Sequence, residues 1–412
     1  MEPYIIYAPK VLDACVQLPS SKSISNRALV LHALSQGCKA NRPTNLSSCD
    51  DTQVMIKAWE GNGEVIDIKA AGTAMRFLTA YLSVIPGTHV ITGTERMKQR
   101  PIRILVDALR LLGAEIAYEC QEGYPPLRIT GKSLASRELT LAGNVSSQYI
   151  SALLMIGPVL PDGLKLTLQG EIISRPYINL TLQLMKQFGA KAGWTSPCTI
   201  EVESRPYEDV PFAVEGDWSA ASYWYEILAL SRDAQAKVFL KGLQAESFQG
   251  DSRGAVLFEK LGVKTSFVEG GAWISKCGEP VREIVEDLVD IPDLAQTFVV
   301  TCCMMGIPFR FTGLQSLKIK ETDRIVALQQ ELHKLGFVVS SENDSILYWQ
   351  GECCTIEDDA VIQTYEDHRM AMAFAPACLR LPSIKIAHPE VVTKSYPEFW
   401  SHLVEAKFEI KK

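Results

Sequence analysis

A helix-ending signal recurs along this chain at a nearly constant interval. Amphipathic segments close on an apolar-Gly-apolar triplet at Leu112-Gly113-Ala114, Phe188-Gly189-Ala190, Leu261-Gly262-Val263 and Leu335-Gly336-Phe337, with the glycines 76, 73 and 74 residues apart. Glycine just past a helix end supplies a left-handed residue, and the stretch that follows, such as Lys334-Leu335-Gly336-Phe337-Val338-Val339, turns β-prone. A second helix start recurs near Gly72, Ser147, Trp218, Pro292 and Asp367, at intervals of 75, 71, 74 and 75. One such spacing could be coincidence, because α/β proteins often place glycine after helices; two series in step point to a repeat. A compact opening unit, with helix starts near Ser23 and Asp50, and a closing one near Pro397 bring the count to six. Short β-rich runs lie between the helices at 4–7, 14–18, 89–92, 164–168 and 238–240. A chain of 412 residues exceeds the size of one hydrophobic core, so six α/β units predict two domains of three.

Composition narrows the function. A hydrophobic fraction of 47% with 22% charged residues is that of a globular protein with substantial cores. The formal net charge of -7 argues against nucleic-acid binding, which needs a positive field along the phosphate backbone. No apolar run approaches the ~20 residues of a membrane span, and the start, Met1-Glu2-Pro3-Tyr4, does not read as an export signal. Eleven cysteines include the pairs Cys302-Cys303 and Cys353-Cys354, yet there is no CxxC and no Cys/His spacing suited to zinc. A cytoplasmic protein with reduced thiols is expected, with no metal and no cofactor.

Chemistry gathers in the segments that lead into the helices. Pro19-Ser20-Ser21-Lys22-Ser23-Ile24-Ser25-Asn26-Arg27 precedes an apolar helix over 28–34, so hydroxyls and unpaired amides face whatever lies before its first turn. Ala70-Ala71-Gly72-Thr73-Ala74-Met75-Arg76 opens another helix with a glycine that permits close approach to backbone. Arg96-Met97-Lys98-Gln99-Arg100-Pro101, Ser146-Ser147-Gln148, Ser174-Arg175-Pro176-Tyr177, Lys320-Glu321-Thr322-Asp323-Arg324 and Asp367-His368-Arg369 repeat the theme. Ser, Thr and Asp in such places are ordinary N-caps, and each alone reads most simply so. Capping does not explain the cations. A positive charge at the positive end of a helix dipole is unfavourable by up to ~1 kcal/mol, yet Lys22, Arg27, Arg100, Arg175, Lys320, Arg324 and Arg369 all stand there. A polyanionic ligand resolves the conflict, with arginine forks chelating carboxylate or phosphate oxygens.

In that order, these motifs resemble those of the 5-enolpyruvylshikimate-3-phosphate synthases, over 18–397. The resemblance rests on 18–29, Ala71-Gly72-Thr73-Ala74-Met75-Arg76, Arg96-Met97-Lys98-Gln99-Arg100-Pro101, Val145-Ser146-Ser147-Gln148, Ile291-Pro292-Asp293, Lys320-Glu321-Thr322-Asp323-Arg324 and Asp367-His368-Arg369-Met370-Ala371-Met372. It implies a two-domain inside-out α/β barrel of six βαβαββ repeats, three per domain, around a central cleft that closes on its substrates. The first domain would span 19–215, and the second would join 1–18 to 216–412. The implied reaction transfers the enolpyruvyl group of phosphoenolpyruvate to the 5-hydroxyl of shikimate 3-phosphate, releasing phosphate through a tetrahedral intermediate. These two small molecules are the expected partners of a monomer.

Carried over by position, the resemblance assigns Lys22, Ser23, Arg27, Ser146, Ser147, Gln148, Ser174, Tyr177, Asp293, Ser316 and Lys320 to shikimate 3-phosphate. It assigns Lys22, Gly72, Arg100, Gln148, Arg324, Arg369 and Lys394 to phosphoenolpyruvate. Asp293 is the expected base for the 5-hydroxyl, and Glu321 or Lys22 the source of the methylene proton. Taken alone, Asp293 reads as a first-turn carboxylate and Glu321 as an i, i+3 partner of Arg324. His368 is expected to bridge neighbouring charges rather than to catalyse. Ala70, Phe77 and Ser316 depart from the family's common residues. The rival readings are a UDP-N-acetylglucosamine enolpyruvyl transferase and a non-catalytic anion-binding paralogue. Lys22-Ser23 in place of a Lys-Asn pair disfavours the first, and retention of Asp293 and Glu321 disfavours the second.

Overall fold

All four repeat glycines adopt the left-handed backbone, with φ of 98° at Gly113, 84° at Gly189, 83° at Gly262 and 94° at Gly336. In the computed structural model, which describes residues 2–35, 40–61, 63–135 and 138–412, the following amide closes the turn at three of them. Ala114 N donates to Leu109 O at 2.9 Å, Ala190 N to Met185 O at 3.0 Å, and Phe337 N to Leu332 O at 3.0 Å. These bonds satisfy carbonyls that the helix end would leave without partners. A fifth copy has no glycine. After the helix Phe399–Glu405, Lys407 takes the left-handed position at φ 73°, and Phe408 N donates to Leu403 O at 3.0 Å.

Each of the four glycine turns launches a hairpin that joins a parallel strand pair, and five four-stranded sheets share one order among the described residues. Val65–Asp67 runs parallel to Gly87–Thr92, which pairs antiparallel with Leu127–Gly131, itself antiparallel to Glu115–Tyr118. Glu138–Ala142, Leu164–Gln169, Thr199–Val202 and Ala192–Ser196 repeat that arrangement. So do Ile284–Asp287, Phe309–Thr312, Ile346–Trp349 and Ser340–Glu342.

The other two sheets reveal how the chain is threaded. Asp13–Gln17 lies parallel to Lys237–Lys241, so more than two hundred residues separate the paired strands. The strand Tyr4–Tyr7 completes the last sheet, between Ile384–Ile386 and Glu409–Lys411. The chain accordingly divides into two compact units, Ser20–Val214 and the joined segments Met1–Pro19 and Glu215–Lys412. The opening repeat is reduced. It holds the helices Lys22–Leu34 and Asp50–Glu60 and a single parallel bridge from Thr44 to Ala213. Gly61, after its second helix, has φ -85°, since there is no hairpin to turn into.

Within each unit the helices fall into two kinds. Gly72–Val84 buries 11 of 13 residues, Trp218–Leu230 buries 12 of 13, and Ala295–Met305 buries 10 of 11. Helices apolar on every side belong inside a core. Arg103–Leu111 buries only Leu105, Val106, Ala108 and Leu109, one face of an outer helix. Sheet strands such as Leu164–Gln169 and Phe309–Thr312 alternate buried and partly exposed residues, so the sheets lie around the inner helices with one face to solvent. Hydroxyls inside the inner helices bond back to their own turn, as Thr79 Oγ1 does to Met75 O at 2.6 Å and Thr301 Oγ1 to Thr297 O at 2.7 Å.

Candidate active site

The inner helices begin without acidic side chains in their first turns, as in Lys22–Leu34, Gly72–Val84, Ser147–Ile156, Trp218–Leu230 and His368–Phe374. Asp50–Glu60, by contrast, carries Asp50 and Asp51 there. Of the N-caps of these inner helices only Asp217 and Asp367 offer a carboxylate, and cations such as Lys22, Arg100 and Arg369 stand close to the helix starts.

In the unit Ser20–Val214, Arg27 is the keystone. Its buried guanidinium donates from Nε to Thr181 Oγ1 at 2.7 Å, from Nη1 to Ser23 O at 2.9 Å and from Nη2 to Ser151 Oγ at 3.1 Å. It also sits 5.2 Å from the Phe77 ring centre. One side chain therefore ties Lys22–Leu34 to three other helices, and burial lowers its pKa to about 10. Lys22, first residue of its helix, lies 3.6 Å from buried Asp51. Gln148 Nε2 donates to Thr73 Oγ1 at 3.1 Å, joining the starts of Gly72–Val84 and Ser147–Ile156, while Ser146 caps the latter by accepting from Gln148 N.

Gly72 is where two guanidinium groups meet. A Cβ there would lie 2.7 Å from Arg100 Nη1 and 2.8 Å from Arg76 Nη1, and Arg76 Nη1 donates to Gly72 O at 2.9 Å. Like charges gathered at a helix N-terminus repel unless an anion joins them. Ser174 is buried and left-handed at φ 55°, an uncommon backbone for serine, directly before the helix that carries Tyr177. Arg175 does something else. It stacks 4.2 Å from the Trp194 ring centre and donates to Pro197 O, so a local structural contact accounts for its charge.

In the other unit the acidic pair sits in a cationic web. Asp293 Oδ1 is 3.3 Å from Lys320 Nζ and 3.1 Å from Arg324 Nη1, and its Oδ2 is 2.9 Å from Arg369 Nη2. Burial alone would raise its pKa; Arg369, Lys320 and Arg324 outweigh that and hold it well below the ordinary carboxylate range. Glu321 bridges Arg324 Nη2 at 3.0 Å and Lys394 Nζ at 2.9 Å. Burial opposes the charge of Arg324, yet Asp367, Glu321 and Asp293 raise its pKa above the usual arginine value. Ser316 belongs to the short helix Gln315–Ile319, and its hydroxyl is buried without a hydrogen-bond partner among the described residues.

Asp367 was legible only as a cap. It does accept from Arg369 N at 2.9 Å, but it also binds Arg324 Nε at 2.7 Å, fixing two cations at once. His368 lies beside it, with Nδ1 3.7 Å from Asp367 Oδ1. Thr73, Asp51 and Arg76 are further polar neighbours that sequence reasoning did not single out as site residues.

Comparison with known proteins gives the family. A family model described as EPSP synthase (3-phosphoshikimate 1-carboxyvinyltransferase) matches residues 57–403. A Bacteroides fragilis protein named 3-phosphoshikimate 1-carboxyvinyltransferase is 64% identical, with 99% of this chain and 98% of that protein covered. Another of that name, from Sulfurovum sp., is 36% identical with 96% of each covered. The solved structure of EPSP synthase from Acinetobacter baumannii shares the fold over 100% of both chains, with a TM-score of 0.77 at 21% identity. With a family model across most of its length and a close relative across nearly all of it, the chain belongs to the EPSP synthase (3-phosphoshikimate 1-carboxyvinyltransferase) family.

Proposed function

We propose that this protein transfers the enolpyruvyl group of phosphoenolpyruvate to the 5-hydroxyl of shikimate 3-phosphate and releases phosphate. The observation that carries the reading is the grip of Lys320, Arg324 and Arg369 on Asp293, with Glu321 bridged between Arg324 and Lys394. Four cations around two carboxylates, with Asp367 as a third, leave positive charge for an anionic donor. Lys22, Arg100, Gln148, the Gly72 backbone, Arg324, Arg369 and Lys394 are the residues assigned to phosphoenolpyruvate. Ser23, Arg27, Ser146, Ser147, Ser174, Tyr177, Ser316 and Lys320 hold shikimate 3-phosphate.

The same geometry supports a timing role for Asp293. With three cations on it, Asp293 is a weak base. A donor anion that draws on the N–H groups of Arg324 and Arg369 loosens that grip, and the proton affinity of Asp293 rises when a hydroxyl needs deprotonating. Glu321 and Lys22 are the two candidates for delivering the methylene proton. Lys22 and Arg100 stabilise charge on the departing phosphate. The test is phosphate release from phosphoenolpyruvate with shikimate 3-phosphate and UDP-N-acetylglucosamine offered separately. Release with shikimate 3-phosphate alone is expected; release with the nucleotide sugar, or with neither, overturns the reading.

A further inference from the structure

Asp251 is buried, acidic and outside every role described so far, with 5% of its surface exposed. It stands in the short helical turn Gly250–Arg253 and accepts a short hydrogen bond from Ser219 Oγ, in the first turn of Trp218–Leu230. Ser219 Oγ is in turn 3.5 Å from Arg369 Nη2, the nitrogen that also reaches Asp293 Oδ2 at 2.9 Å. A carboxylate, a hydroxyl and a guanidinium thus form a chain that ends on the donor-binding cation.

We propose that Asp251 is a positioning residue for Arg369, acting through Ser219. A serine hydroxyl has one proton and two lone pairs. Because that proton goes to Asp251, the lone pairs face Arg369, and Ser219 is held as an acceptor. Arg369 Nη2 then has two acceptors, Asp293 and Ser219. When Asp293 is needed as a base, Ser219 keeps Nη2 satisfied and the guanidinium keeps its orientation toward the donor anion. Proton positions decide whether this works. If Asp251 is protonated it can donate to Ser219 Oγ, and the serine proton is then free to turn toward Arg369, which repels it.

Electrostatics place that switch near pH 6. Burial, followed by the nearby charge of Asp293, raises Asp251 to about 6, against the lowering influence of Arg369 and the Ser219 hydrogen bond, while Asp217 adds a further small increase. The residues that act on it lie in the Pro292–Leu294 turn, the His368–Phe374 helix and the start of Trp218–Leu230.

This inference rests on the proposed transferase reading, and its test separates the two. Steady-state kinetics are measured from pH 5 to 8 for the wild type, Asp251→Asn, Ser219→Ala and the double variant. Each single variant is expected to raise KM for phosphoenolpyruvate about tenfold while kcat changes little, as loss of one hydrogen bond that orients a charged group implies. The double variant should be no worse than either single one, because both break the same chain. The wild type should show an acid limb near pH 6 in kcat/KM that Asp251→Asn lacks. An inactive wild type would reject the transferase reading itself. An active wild type with variants of unchanged KM and pH profile, or with additive effects in the double variant, overturns the positioning role. Should Asp251→Asn fail to fold, the Ser219→Ala comparison of KM alone decides.

Discussion

Arg324 Nε lies 2.7 Å from Asp367 Oδ2, with Arg324 1% and Asp367 0% exposed. Charges so buried are costly without partners, and this pair also anchors the web around Asp293 and Glu321. Asp367→Asn leaves Arg324 short of a counter-charge and takes away the carboxylate that caps Arg369. We expect a loss of about 3 kcal/mol in stability, seen as an earlier urea transition, together with weaker phosphoenolpyruvate binding. An unchanged transition would mean that the pair is not needed to hold the site.

Gly72 tests the anion site in the unit Ser20–Val214. Its backbone does not require glycine, since its φ is not positive, so Gly72→Ala should leave the fold intact. The added methyl group would crowd Arg100 Nη1 and Arg76 Nη1, whose ends must swing away. KM for phosphoenolpyruvate is expected to rise by about tenfold, on the scale of one displaced charge-assisted hydrogen bond, with thermal stability kept. Calorimetric titration of the donor into wild type and variant measures this.

Lys407 is the one repeat position where a non-glycine residue occupies the left-handed turn. Lys407→Gly relieves that strain and should raise stability by about 0.5–1 kcal/mol, net of the greater freedom glycine gives the unfolded chain. Gly336→Ala, the converse change at φ 94°, should lower it. Thermal melts of the two variants should therefore move in opposite directions.

Glu226 is fully buried on the inner helix Trp218–Leu230, and burial, opposed only by Thr301, raises its pKa well above the ordinary value. The folded chain holds this proton while the unfolded chain has lost it. Stability is therefore greatest below the usual glutamate pKa of about 4.3 and falls by ~1.4 kcal/mol per unit as pH rises from there toward the raised value. Glu226→Gln removes that dependence. Its stability advantage over the wild type should grow from pH 5 to pH 8, as denaturation series at several pH values would measure.

Much of this architecture could be read from the sequence because it is written in local chemistry. The glycines at 113, 189, 262 and 336 announce helix ends by the backbone they require, and all four adopt it. Lys407 escaped notice because the same turn was built from a residue with no such preference. The pairing of Tyr4–Tyr7 with strands near the far end of the chain leaves no local trace, so only the resemblance suggested that the first residues join the second half. At the site, cations stood out because they oppose the helix dipole. Acidic residues were harder, since Asp367 and Asp51 at helix starts look like caps whether or not they also bind a cation. Arg175 matched the cationic pattern, but Trp194 lies fourteen residues beyond the end of Ser174-Arg175-Pro176-Tyr177-Ile178-Asn179-Leu180 and becomes its neighbour only through the fold.

The account turns on Asp293 as the base that accepts the hydroxyl proton once the donor anion engages Arg324 and Arg369. Turnover by Asp293→Asn, measured beside its affinity for both substrates, tests this most directly. The prediction is that both substrates still bind while kcat falls by a factor on the order of 10²–10⁴. Turnover within a few-fold of the wild type would contradict it.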